Sequence, residues 1–157
     1  MNEMSKIVRT MSNILFPLIL VFGFYVIMHG HLTPGGGFQG GAVVASGCAM
    51  LLVAYGSTWV HKKVKESLLS SFESIGAVMF ISLAILGLII GGVFFSNFLV
   101  SLHSIFGNIP PSGSTLSDVN TGGVLPLMNI AVGVKVIAGL FVVVLVMAYA
   151  SKGLKEG

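Results

Sequence analysis

Four long stretches of this chain carry almost no charge. They cover residues 11–28, 40–60, 75–95 and 124–150, and Lys135 is the only Lys, Arg, Asp or Glu among them. A helix needs about 20 apolar residues to cross the hydrocarbon core of a bilayer. Backbone groups in lipid must be paired within the segment, so each stretch is predicted to be a helix; the alternation of a membrane β-barrel is absent. The expected fold is therefore an all-α integral membrane protein with four transmembrane helices, as a single domain over residues 1–157. Composition agrees: only 8% of the residues are charged, against about 25% in soluble domains. That excludes a soluble enzyme, a nucleic-acid binder and a disordered chain. The single cysteine, Cys48, excludes an intrachain disulfide and a cysteine-based metal or cluster site, and reads as a small buried filler.

The few charges set an expected topology. Lys6 and Arg9 precede the first stretch, Lys62, Lys63 and Lys65 lie between the second and third, and Lys152 and Lys155 follow the fourth. The other two connections contain no Lys or Arg. By the positive-inside rule both termini are expected in the cytoplasm, with Trp59 and His61 at the inner boundary. A secretory signal peptide is the rival reading of the first 30 residues. The chain runs on into His29-Gly30-His31-Leu32 with no small-residue cleavage site, so the first span is expected to be retained. Residues 95–106 stay apolar, broken by serines, and either extend the third helix or lie along the outer interface. Residues 108–123, rich in Pro, Gly, Ser and Asn, read as a surface loop against another chain.

Between the first two spans lies His29-Gly-His-Leu-Thr-Pro-Gly-Gly-Gly-Phe-Gln-Gly-Gly41. Gly35, Gly37 and Gly40 formally match a dinucleotide fingerprint. That motif requires a preceding strand and an acidic residue about 20 positions on; here it sits between membrane spans and no acid follows before Glu66. The glycines instead continue into the second span as Gly37, Gly41, Ala45 and Ala49, a ridge of small residues at helical spacing. Gly87 and Gly91 make a shorter one on the third span. Such ridges let helices approach closely in lipid, whether their own chain's or a partner's. His29 and His31 are read either as interfacial histidines hydrogen-bonded to loop backbone or as stations for proton or cation traffic at the outer mouth. With no third ligand type nearby, no metal site is assigned.

Lys135 carries the strongest functional signal. It lies ten residues in from Leu125, about 15 Å along a helix, near the middle of the membrane. A lysine there is costly and is by default a functional candidate that faces a polar cavity or a partner. Glu73, the nearest acid on a span, is expected about one third of the membrane thickness away, too far for direct pairing without unusual tilt. Lys135 is then paired to a carboxylate of another subunit, a water chain or a carbonyl cluster, or is neutral through desolvation. Both a structural interchain pair and a direct part in ion movement remain open. The other polar groups in the spans, including Asn129 six residues outward of Lys135, are too sparse to line an ion path alone. A stand-alone four-helix exporter would need a buried carboxylate in the first span, which has none.

Residues 31–41, with Gly35, Gly36, Gly37, Phe38, Gln39, Gly40 and Gly41, resemble the signature of the MnhB/MrpB family, and so does Asn129-Ile-Ala-Val-Gly-Val-Lys135-Val in the last span. These are small subunits of Mrp-type multisubunit Na⁺/H⁺ antiporters; related subunits occur in archaeal membrane-bound hydrogenase and sulfur-reducing complexes. The resemblance implies four spans in a prokaryotic plasma membrane and a non-catalytic role inside a complex whose larger subunits carry the main proton path. It implies other membrane subunits and the lipid bilayer as partners, no nucleic acid, no cofactor in this chain, and Na⁺ and H⁺ as the transported ions. The ion-pathway candidates are Lys135, Asn129, Glu73, His29 and His31; the glycine motif is assigned to helix packing. The alternative is a purely structural subunit that packs its neighbours together.

Overall fold

A computed structural model describes residues 4–32, 34–99 and 122–156. Among these are five helices: α1 (Lys6–His29), α2 (Gly37–Tyr55), α3 (Ser57–Lys63), α4 (Glu66–Gly91) and α5 (Leu125–Glu156). Four segments are long and apolar enough to span a membrane: Lys6–His29, Gly37–Tyr55, Glu66–Gly91 and Leu125–Ala150. The all-helical, four-span expectation stands; residues 100–121, which include most of the expected surface loop, lie outside the described residues.

Helix boundaries follow local chemistry. The Ser5 hydroxyl accepts a hydrogen bond from the Val8 N–H at 3.5 Å and caps α1. The helix continues through Pro17, whose missing N–H removes one bond of the ladder. At the start of α2 the Gln39 Oε1 accepts from the Gly36 N–H at 2.8 Å. Glu66 in the first turn of α4 suits the positive end of the helix dipole.

Two helices end inside their apolar runs. The second run, expected as a helix to residue 60, breaks at Gly56, whose φ of 82° is readily reached only without a Cβ. Residues 57–60 therefore belong to the separate short α3, and Trp59 stacks on Tyr55 across the break with ring centroids 4.5 Å apart. The third run, expected over residues 75–95, gives a helix that ends at Gly91, where Gly92 caps it in the left-handed conformation. It begins nine residues early, at Glu66, because the polar Ser-rich segment before the run is helical too.

The helices pack in the order α1, α2, α5, α4, with only a minor direct contact between α1 and α5. The arrangement is closer to a layer than to a closed bundle. Burial reflects this: 44% of the span window is buried in α2 and 28% in α5, but only 17% in each of α1 and α4. The flanking helices turn broad apolar faces outward, including Ile7, Val21, Ile89 and Val78. Leu52, Val60, Phe141 and Leu145 form a core cluster where α2, α3 and α5 meet, at the end of the molecule that bears the Lys62–Lys65 connection.

Candidate functional site

The site has two parts, at different depths along α5. The first is a cradle at the end opposite the basic connection. Gly35 has φ 127°, so the turn into α2 requires glycine at that point. The turn wraps the Asn129 side chain: a Cβ built on Gly36 would stand 2.9 Å from its Oδ1, and one on Gly30 would stand 2.8 Å from its Nδ2. One residue on, a Cβ at Gly37 would meet the Asn129 carbonyl, with Val132 Cβ at 2.9 Å and the Gly133 nitrogen at 3.0 Å. The backbones of α2 and α5 therefore touch here.

The ridge that continues from Gly37 serves this chain's own helices. A Cβ on Gly41 would lie 3.0 Å from the Gly133 carbonyl and 2.9 Å from Val136 Cβ, on α5. Gly40 faces α1, where a Cβ would stand 2.6 Å from the Gly23 carbonyl. Within the motif the Phe38 side chain turns outward, 60% exposed. The Gly87 and Gly91 pair does not receive a neighbouring helix. It accommodates the chain's own return, since Cβ atoms there would collide with Ser96.

The two histidines part company. His29 stacks on Tyr25 with centroids 4.8 Å apart. His31 lies against Gly122, whose Cβ would fall 2.8 Å from the imidazole Cδ2 and 2.8 Å from Pro126 Cδ. Among the described residues neither buried His31 ring nitrogen has a hydrogen-bond partner. The expected bonds from His31 to loop backbone are thus not made, because the ring packs beside the start of α5. Among the described residues no three His, Cys, Asp or Glu side chains cluster as a metal site.

The second part is the crossing of α4 and α5. A Cβ on Gly76 would stand 2.7 Å from the Ala131 carbonyl, 2.8 Å from the Lys135 nitrogen and 2.9 Å from Lys135 Cβ. On the facing ridge, a Cβ on Gly139 would lie 3.5 Å from Glu73 Oε1. The helices run antiparallel, so Glu73 sits opposite Gly139, one turn or about 6 Å along the axis from Lys135. Gly76 leaves no side chain between the helices and lets their backbones meet, with Glu73 and Lys135 flanking the contact. Lys135 is exposed and Glu73 half-buried. Among the described residues no ion pair joins them. The seam therefore places an acid and a base at one helix crossing, with Lys135 open to whatever lies beside the chain in the membrane.

Two contributors were missed from sequence. Asn97 closes the chain onto the start of α5: its Nδ2 donates to the Gly122 carbonyl at 3.1 Å and its Oδ1 accepts from the Val124 N–H at 2.8 Å. No spacing signal links residues so far apart. Gly76 could have been found as the one glycine in the first half of the third apolar run.

The chain was compared with known proteins. A family model described as a domain related to the MnhB subunit of Na⁺/H⁺ antiporter matches residues 7–142. An uncharacterized protein of Methanocaldococcus jannaschii is 34% identical over 88% of this chain, which spans 50% of that relative's length. The Staphylococcus aureus protein "Putative antiporter subunit mnhB2" is 32% identical over 76% of this chain and 84% of its own.

Proposed function

Because the chain belongs to the family of domains related to the MnhB subunit of Na⁺/H⁺ antiporters, we propose that it is a non-catalytic membrane subunit of a multisubunit cation/proton antiporter module. In this reading it helps form the sodium/proton translocation unit, either in an antiporter or in a respiratory complex that carries such a module. Both termini face the cytoplasm of a prokaryotic cell, where seven of the eight basic residues satisfy the positive-inside rule.

The observation that carries the reading is the Glu73–Lys135 seam. An exposed lysine at mid-membrane depth is too costly to face lipid tails, so its flank of the α4/α5 crossing abuts a polar path or another subunit. A carboxylate oxygen is a hard ligand suited to Na⁺, and the Lys135 amine stands one helical turn away on the facing helix, so the seam places a cation ligand beside an amine. Na⁺ and H⁺ are the transported ions, and no cofactor is assigned to this chain.

The test is Lys135→Met in the assembled complex. Loss of Na⁺-dependent proton movement with normal assembly is the expected result; full transport would remove Lys135 from the mechanism. A second reading, a structural subunit that seals its neighbours together, is supported by the poorly buried α1 and α4 faces. A Gly41→Leu change does not separate the two, since Gly41 packs on this chain's own α5. Phe38→Ala does: the ring is exposed, so the structural reading expects loss of assembly there and tolerance at Lys135.

A further inference from the structure

The last span covers Leu125–Ala150, so Lys135 stands about 15 Å along the axis from one end and about 22 Å from the other. The flexible stem of a lysine covers only part of either distance. The side chain is exposed on the outer surface of the chain. Among the described residues it makes no hydrogen bond or ion pair. Its surroundings are apolar. One and two turns away on the same face of α5 stand Met128, Val132, Ala138, Gly139 and Val142. On α4 the large exposed side chains next to Gly76 in sequence are Ile75, Val78 and Met79.

One sort of neighbour fits a single cation in such a setting. Acyl chains do not, because an ammonium among them is too costly. An aqueous lane along α5 needs polar groups at successive depths, and this face has none within two turns of Lys135. Carbonyl oxygens of a neighbour would solvate the ammonium and leave its charge in a medium of low dielectric constant; a carboxylate cancels it. Glu73 is turned to Gly139, where its Oε1 would lie 3.5 Å from a Cβ, and does not pair with Lys135. In the function proposed above Glu73 also takes the cation, which leaves one positive charge at the crossing. A second copy of this chain, related by a twofold axis along the membrane normal, would again offer Glu73 one turn off in depth.

We propose that Lys135 is the docking point for a transmembrane helix of another subunit, and that this helix carries one Asp or Glu at the depth of Lys135 on an otherwise apolar face. The inference rests on the subunit role proposed above and names the partner of the same site.

Membranes holding the assembled complex can be treated with dicyclohexylcarbodiimide, which enters lipid and activates carboxyl groups there. An amine beside the activated carboxyl displaces dicyclohexylurea and forms an amide. Peptide mass spectrometry is expected to find Lys135 joined to an Asp or Glu in a transmembrane segment of another subunit, with the link gone in Lys135→Met. A link to Glu73, within the chain or in a second copy, overturns the proposal. So does carboxyl modification within the spans that leaves Lys135 unlinked. Acetylation of Lys135 by a water-soluble, membrane-impermeant ester would show an open aqueous path and overturns it too.

Charge reversal reads the same contact independently. Lys135→Glu keeps the Cβ that packs at Gly76 and sets two carboxylates together. Co-purification of the chain with the linked subunit should fall at least about fivefold, the scale of one interhelical polar contact in lipid, at an unchanged level of the chain in the membrane. Lys135→Arg should retain it, and replacing the linked acid by Lys should restore the Lys135→Glu chain. Undiminished co-purification of Lys135→Glu overturns the proposal. Neither readout measures transport, so the pairing can fail while the transport role stands, and the reverse.

Discussion

The two ends of the α5 packing surface are built on opposite plans. Around Asn129 the contact is made by backbone: Gly30, Gly36 and Gly37 leave no room for a side chain, and the neighbours they face are themselves main chain or short side chains. Around Gly76 the helices also touch, but the contact is flanked by Glu73 and Lys135, and Lys135 is exposed. One region has no freedom left to move; the other keeps two titratable side chains at an open seam. Close approach of helices in lipid rests on van der Waals packing. The cradle uses it to hold α1, α2 and α5 in register. The seam uses it to bring two charges to one place.

That contrast can be broken first where the packing is tightest. Gly37→Val should be the most damaging change, because its Cβ meets the backbone of α5 and neither helix can give. A cost of at least about 3 kcal/mol is expected, seen as loss of folded protein from the membrane fraction. If Gly37→Val accumulates normally, the cradle is not the clamp described above. At the seam the expectation is reversed: Lys135→Met should leave folding intact and lower Na⁺-dependent proton transport about tenfold, or about 1.4 kcal/mol in the barrier. Combining it with Glu73→Gln sharpens the point. If the two groups act as a unit, the double variant should be little worse than either single one; effects that multiply would show them to be independent.

Smaller effects test the supports of each region. Asn97→Ala removes two hydrogen bonds at the start of α5 and should cost about 1 kcal/mol, measured as a lower midpoint in thermal unfolding in detergent. Tyr55→Phe deletes only the bond to Asn13 and should cost about 0.5–1 kcal/mol. It lies far from both regions, so transport by an assembled complex should be unchanged.

Sequence alone determined the number of spanning helices, the gathering of basic residues at one end and the place of Lys135 as the one charge within the apolar runs. These follow from hydropathy and charge, which are properties of local segments and do not depend on which helices become neighbours. The two revised boundaries also had local causes, Gly56 and Gly92, but both glycines sit in or beside apolar runs where hydropathy is indifferent to a break in the helix. The family resemblance was legible in the glycine motif and in residues 129–136, and it covers the stretch where the family model matches. What tertiary structure decided was pairing. It turned the Gly37–Gly41 ridge toward this chain's own α5, gave Gly87 and Gly91 to the chain's return at Ser96, sent His29 and His31 to different neighbours and brought Glu73 within a turn of Lys135. Spacing along a helix tells which residues share a face; which helix covers that face, and at what register, is settled only by how side chains and their absences interlock across the crossing.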